Sequence, residues 1–382
     1  MLKPLPYTKV RITDPDWVRR IDLVRTVVLP YQWEILNDRV EGAEKSYCVR
    51  NFRAAAGDIK AEHGGMVFQD SDIYKWLEAV AYALSVSRDA GLEALADEAV
   101  ELIVRAQQED GYLNTYYTLK KPEGRYTNLM EGHELYCAGH MMEAAVAYAE
   151  VTGKKRLLDA ALKLARHLHG WFMPRKGYPG HPEVELALIK LYEHTGEAYC
   201  LELAQHLIDV RGAGENQLDL ERRDPDHDWI WEIMKHFDDE YFQAHLPVRE
   251  QTTAEGHSVR AMYLFAAMAD AARLSGEQEL AQACVTLADN VRTRRMYVTG
   301  GIGSASFGER FTTDFDLPND SMYCETCASI GLMLFSRRMS WLTGDTRYFD
   351  LWERALNNTV LAGMGGDGKH FFYVNPLEVR PE

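Results

Sequence analysis

The sequence predicts an all-α protein folded as a toroid of helical hairpins, an (α/α)6 barrel. Two observations carry that expectation. Four pairs of apolar-striped segments are joined by nearly the same tripeptide: Thr152-Gly153-Lys154, Thr195-Gly196-Glu197, Ser275-Gly276-Glu277 and Thr343-Gly344-Asp345. Glycine just past a helix end, followed by a charged residue and a new apolar stripe, marks an αα-hairpin. The second observation is register. Three hairpins open with Gly-His (Gly132-His133, Gly180-His181, Gly256-His257), and the fourth opens with Cys324-Glu325-Thr326-Cys327. If the hairpins are equivalent, these residues gather at one pole.

In chain order, residues 15–40 read as a first long helix, kinked at Pro30 because proline removes a backbone donor. Residues 71–87 place Ile73, Trp76, Leu77, Val80, Ala81 and Leu84 at helical spacing, and 90–107 repeat the stripe with Leu92, Leu95, Ala96, Ala99 and Ile103. After an aromatic connection, the hairpins run over 133–151 with 155–171, 182–194 with 197–211, 257–274 with 277–294, and 324–342 with 346–363. Strands are few: Met296–Thr299 is expected to pair with Phe311–Phe315, with Glu309 near the tip, and Lys369–Asn375 reads as a third. Unequal connections and an unpaired first helix favour a closed ring over an open solenoid. On that reading residues 1–382 form a single domain whose last helix is missing.

Bulk properties narrow the function. A chain of 382 residues that is 46% hydrophobic buries a large core. Its net charge of −16 argues against nucleic acid, which is held by clustered Lys and Arg. The start, MLKPLPYTKVRITDPDW, has no apolar core with a cleavage site, and no segment resembles a membrane span, so a cytoplasmic location is expected. Six sparse cysteines make no disulfide scaffold.

The chemistry concentrates in residues 297–329. Gly300, Gly301, Gly303 and Gly308 lead to Glu309, and Glu325 follows between Cys324 and Cys327. A glycine loop can carry one reactive side chain to a ligand. Two acids offer a proton donor and a charge stabiliser, and Cys with Glu offers donors to zinc. Gly301-x-Gly303 lacks the strand–loop–helix setting and the lysine of a nucleotide loop, and Cys324-x-x-Cys327 lacks the βαβ setting of a redox pair. His140 shares a face with His133. His167, His169, His206 and His236 have no such register and are expected to be surface or structural.

Longer motifs then carry a resemblance: LPYQW (29–33), DIYKWLEA (72–79), DGYLNTYY (110–117), HELYCAGH (133–140), GYPGHPEVELAL (177–188), EGHSVRAMYL (255–264), YVTGGIGS, GERF, DFDLPND and ETCAS (325–329). The chain resembles the β-L-arabinofuranosidase family of glycoside hydrolases, numbered 127 with the related 146, over nearly its whole length. The resemblance implies a catalytic (α/α)6 barrel, with the family's C-terminal β-sandwich domains absent from this chain. It implies retaining release of a non-reducing-end β-L-arabinofuranose or similar sugar, with Glu309 as acid/base. Glu325 and Cys327 would be two of four zinc ligands, and Gln32, His133, His181, His257 and Tyr373 would surround the sugar. The other two ligands, one of them the nucleophilic cysteine, would lie beyond Glu382. Glu309 is expected to have a raised pKa, with Trp33 and Tyr373 lining the pocket. The expected partner is a carbohydrate, and a homodimer stays open. The alternatives are a sugar epimerase or isomerase using paired histidines, and an inactive carbohydrate-binding toroid.

Overall fold

The computed structural model describes residues 5–378 and is built of helices. The first stretch comprises α1 (Pro15–Leu23) and α2 (Leu29–Leu36), joined by a wide π turn at Val24–Val28. Proline at 30 has no N–H to close an ordinary helical turn, and the helix widens just before it. Then follow α3 (Cys48–Ala55), α4 (Asp70–Val86), α5 (Ala90–Ala106) and the short α6 (Thr115–Leu119). The repeated hairpins are α7 (Glu134–Thr152) with α8 (Arg156–Phe172), α9 (Val184–Thr195) with α10 (Ala198–Val210), and, after α11 (Gln217–Arg223), α12 (Ser258–Ser275) with α13 (Gln278–Asn290). The last is α14 (Thr326–Thr343) with α15 (Arg347–Ala355).

Two concentric rows result. The inner row packs α4 on α7, α7 on α9, α9 on α12 and α12 on α14, with α2 against α4. Outside it, α5 packs on α8 and α8 on α10. Composition explains the sorting. Every residue of α12 from Ser258 to Arg273 is buried, as is the run Ala144–Ala149 of α7. A helix apolar on all sides belongs inside. The outer α8 instead buries one stripe, Leu157, Leu158, Ala161, Leu164, Ala165, Leu168 and Phe172. All five of α4, α7, α9, α12 and α14 line one cavity, so the rows curve into a helical toroid.

The four repeated turns behave alike. Gly153, Gly196, Gly276 and Gly344 each adopt a left-handed φ between 74° and 78°, and each N–H returns to the carbonyl four residues back. These turns are minimal. The connections at the other pole, from α10 to α12 or from α13 to α14, are long and irregular, and they carry the site.

The expected strands do not form among the described residues, where only isolated bridges occur. Met296 pairs with Ile302 rather than with 311–315, and Arg310 pairs with Ala305 and His257. Phe311 N–H goes to Gly256 O at 2.9 Å and Phe315 N–H to Arg294 O at 2.9 Å, so the segment satisfies its donors against helix starts and ends. Of 369–375, Phe371 and Val374 make single bridges, Val374 to Glu325. No helix among the described residues is long and apolar enough to cross a membrane.

Candidate active site

The site lies where inner helices begin. His133 precedes α7 in a left-handed conformation (φ 52°), His257 is the N-cap of α12, and Glu325 is the N-cap of α14. His181 sits two residues before the α9 N-cap, Glu183. Their rings face one another: His133 to His181 centroids are 5.8 Å apart and His181 to His257 5.9 Å. All four side chains, with Glu309, Cys327 and Tyr373, line a cavity of about 1820 Å³. The cavity runs down the lumen past His140 to Glu193 and His194.

Hydrogen bonds assign the histidine tautomers. His257 Nδ1 accepts from the Val259 and Arg260 N–H groups, at 3.2 and 3.5 Å, as an N-cap does. Its proton therefore sits on Nε2, which donates to Glu309 Oε2 at 3.0 Å. His181 Nδ1 donates to Pro182 O (2.9 Å) and His133 Nδ1 to Glu131 O, leaving both Nε2 atoms as acceptors. Burial, then the Arg260 guanidinium, pushes the pKa of His133 down to about 3 and that of His181 well below the usual range. Neutral imidazoles with fixed tautomers suit sugar hydroxyls. Arg260 itself is buried, donates to Gly180 O at 2.9 Å, and lies 5.2 Å from the Tyr241 and Phe242 ring centroids.

Glu309 is presented by a strained loop. Gly308 has φ 73° and Glu309 φ 51°, and a Cβ on Gly308 would come within 2.9 Å of the Phe237 ring. Ser258 Oγ holds the Glu309 carbonyl at 2.9 Å, and Tyr323 Oη donates to Glu309 Oε1 at 2.7 Å. Burial raises the carboxyl's pKa, but the hydrogen bonds from His257 and Tyr323 outweigh it, and the net value lies below the ordinary range. The expected rise does not occur, because both oxygens have donors. Glu325 moves the other way: burial and the neighbouring Glu309 charge raise it. One donor atom each from His257, Glu309 and Glu325 fall within 4.8 Å of one another.

The residues expected to hold zinc fit that task in part. Glu325 is buried and its Oε2 has no hydrogen-bond partner among the described residues. Cys327 lines the cavity, where burial and then the Glu325 charge push its thiol up to about 12. A buried carboxylate oxygen without a partner beside a thiol is a donor pair suited to a cation. Cys324 takes no part in the pair. It packs with Tyr297 and Met322, and a Cβ on Gly301 would lie 2.9 Å from its sulfur. Tyr373 arrives on a segment pinned to the α14 start by Thr326 N–H to Tyr373 O at 2.9 Å.

Gln32 and Trp33 adjoin on α2. Gln32 is half-buried on α2 and is not among the cavity-lining residues. Trp33 is buried and stacks on Trp76 with centroids 4.5 Å apart, so it belongs to the core. The aromatic wall instead comes from Phe68, Trp231, Phe237, Tyr241 and Phe307. Buried Glu131 sets it, accepting the Ile230 and Trp231 N–H groups at 2.9 and 2.7 Å. Sequence reading missed Arg260 and Tyr323, although Arg260 stands one helical turn after His257 and Tyr323 just ahead of Cys324. His167, bonded to Asp110 O, and His206, bonded to Arg175 O, are structural, as expected.

Comparison with known proteins places this geometry. Residues 9–382 match the family model described as the β-L-arabinofuranosidase, GH127 catalytic domain. The chain is 45% identical to a non-reducing end β-L-arabinofuranosidase of Bifidobacterium longum subsp. longum, over 98% of this chain and 60% of that one. A crystal structure of a GH127 β-L-arabinofuranosidase from Geobacillus stearothermophilus T6 superposes with TM-score 0.94 at 54% identity, covering 98% of this chain and 59% of that one. A second GH127 structure, a β-arabinofuranosidase, superposes with TM-score 0.86 at 36% identity, over 98% and 57%. The chain thus spans about three fifths of the length of these relatives. With its family model matched over almost every residue, the chain belongs to the GH127 β-L-arabinofuranosidase catalytic-domain family.

Proposed function

We propose that this chain is the catalytic barrel of a retaining glycoside hydrolase that releases a non-reducing-end β-L-arabinofuranose or a similar sugar. The observation that carries the reading is Glu309, held on both oxygens by His257 and Tyr323 at the rim of a cavity ringed by histidines. Glu309 protonates the leaving oxygen while a cysteine thiolate supplied from outside these residues bonds to the anomeric carbon, and then, as a carboxylate, takes a proton from the water that displaces that sulfur. The depressed pKa suits the second half. For the first half, a sugar oxygen must replace one of its two donors, after which burial raises the pKa and favours the acid form. His133 and His181 accept sugar hydroxyl protons at Nε2, His257 donates, and Tyr373 closes the wall.

Glu325 and Cys327 would hold zinc, as one carboxylate and one thiolate donor. Bound there, the cation would keep its thiolate ligands deprotonated at neutral pH, Cys327 as a ligand and the nucleophilic cysteine from outside these residues. The test is release of the aglycone from an aryl β-L-arabinofuranoside. An epimerase on the same barrel frees none, and a binding toroid retains arabinose without turnover.

A further inference from the structure

Deeper in the lumen lies a second set of donors that this mechanism does not use. His140 and Glu143 stand three residues apart on α7, on one face of the helix, and Glu183 caps the start of α9. One donor atom from each falls within 4.8 Å of the others, and His140 Nδ1 is 3.4 Å from Glu183 Oε1. His140 is 5% exposed and Glu183 1%, yet Glu183 Oε1 and His140 Nε2 have no hydrogen-bond partner among the described residues. The approach is built in. A Cβ on Gly139 would lie 2.6 Å from Glu183 Cγ, so only glycine leaves room for this carboxylate against α7.

The charges nearby are unequal. Lys190 bonds both Glu78 and Glu143, at 2.9 and 3.1 Å. Lys75 gives its hydrogen bonds to Tyr136 Oη and Ser71 Oγ, at 2.8 and 3.0 Å, and Arg338 pairs with Asp270 at 2.5 Å. Among the described residues Lys190 is bonded to Glu78 and Glu143 while no lysine or arginine is bonded to Glu183, whose Oε1 is buried without a hydrogen bond, and such burial is costly.

We propose that His140, Glu143 and Glu183 form a divalent-cation site, separate from the Glu325/Cys327 pair, that ties α7 to α9. One imidazole and carboxylate oxygens without sulfur suit first-row cations such as zinc or manganese. A helical residue pair three apart, completed from a neighbouring helix, is how metal sites are built between packed helices. His140 and Glu143 line the cavity, which gives the ion an entry path and water to complete its coordination.

The test uses the full chain carrying Cys327→Ala and Glu325→Gln, which removes the donors at the mouth. After chelator treatment, Co2+ is titrated in and followed by absorption and thermal unfolding. The expected result is one equivalent bound, with visible ligand-field bands, no thiolate charge-transfer band, and a raised Tm. Adding His140→Ala should abolish the binding. Adding Glu143→Gln, a milder change on the cavity wall, should weaken it about tenfold or more. No Co2+ binding in the starting variant overturns the proposal, and so does binding that neither further substitution alters. Neither outcome depends on hydrolysis, so the functional reading above stands or falls separately.

Discussion

Tyr323→Phe removes one hydroxyl and, with it, one of the two donors that hold Glu309. The bond is 2.7 Å long and its acceptor is charged. Hydrogen bonds to charged groups contribute about 1.5–3 kcal/mol. The Glu309 side chain is 32% exposed, and solvent screening at that exposure brings the expected loss to about 1 kcal/mol. The pH dependence follows from the direction of the shift. Glu309's folded-state pKa lies below its unfolded value, so its stabilisation is complete above the ordinary glutamate value of about 4.3 and is lost as pH falls through the folded value. Tyr323→Phe should therefore lower stability at pH 7 and lose that effect in acid. Urea unfolding of the two proteins across this window measures it, and a double-mutant cycle with Glu309→Gln should return the same coupling. An equal loss at every pH, or an unchanged loss in the Glu309→Gln background, would refute the argument. The hydroxyl would then matter only for packing.

Glu309→Gln should slow hydrolysis of substrates with basic leaving groups by about 10²–10⁴-fold while sparing aryl substrates with acidic phenols; equal losses on both would assign Glu309 another role. Cys327→Ala should reduce zinc retained after dialysis, read by elemental analysis, and unchanged zinc content would place the metal elsewhere. Gly331→Ala puts a Cβ 2.7 Å from Met262 Cβ at the contact of α12 with α14, and should destabilise the fold by about 1–3 kcal/mol in urea. Glu131→Gln should weaken the anchor of residues 230 and 231 and increase acrylamide quenching of tryptophan fluorescence, with no change expected if the Trp231 loop is held by packing alone.

The hairpins were legible because each is encoded locally, as an apolar stripe stopped by a glycine that must take a left-handed φ. The convergence of His133, His181, His257 and Glu325 was legible for a related reason: a repeated helix start implies a repeated position. The short strands were not. Residues 311–315 are rich in the aromatic and β-branched residues that favour strands, but their donors find carbonyls at Gly256 and Arg294, partners that only the closed ring brings near. Trp33 misled because it adjoins Gln32 in sequence while stacking on Trp76 in the core. The direction of Glu309's pKa depends on His257 and Tyr323, 52 and 14 residues away in the chain, and no local pattern announces both.

The four minimal turns have a practical consequence. A Cβ placed on Gly153, Gly196, Gly276 or Gly344 would meet nothing within 4 Å, so these corners face open space. Their only demand is a left-handed φ, which asparagine also tolerates. Because His133, His181, His257, Glu309 and Glu325 gather at the opposite pole, a peptide tag or fluorophore grafted at one of these corners would report on the protein from the far side of the candidate site. Immobilising the barrel through the same corners would leave its mouth turned toward the solution.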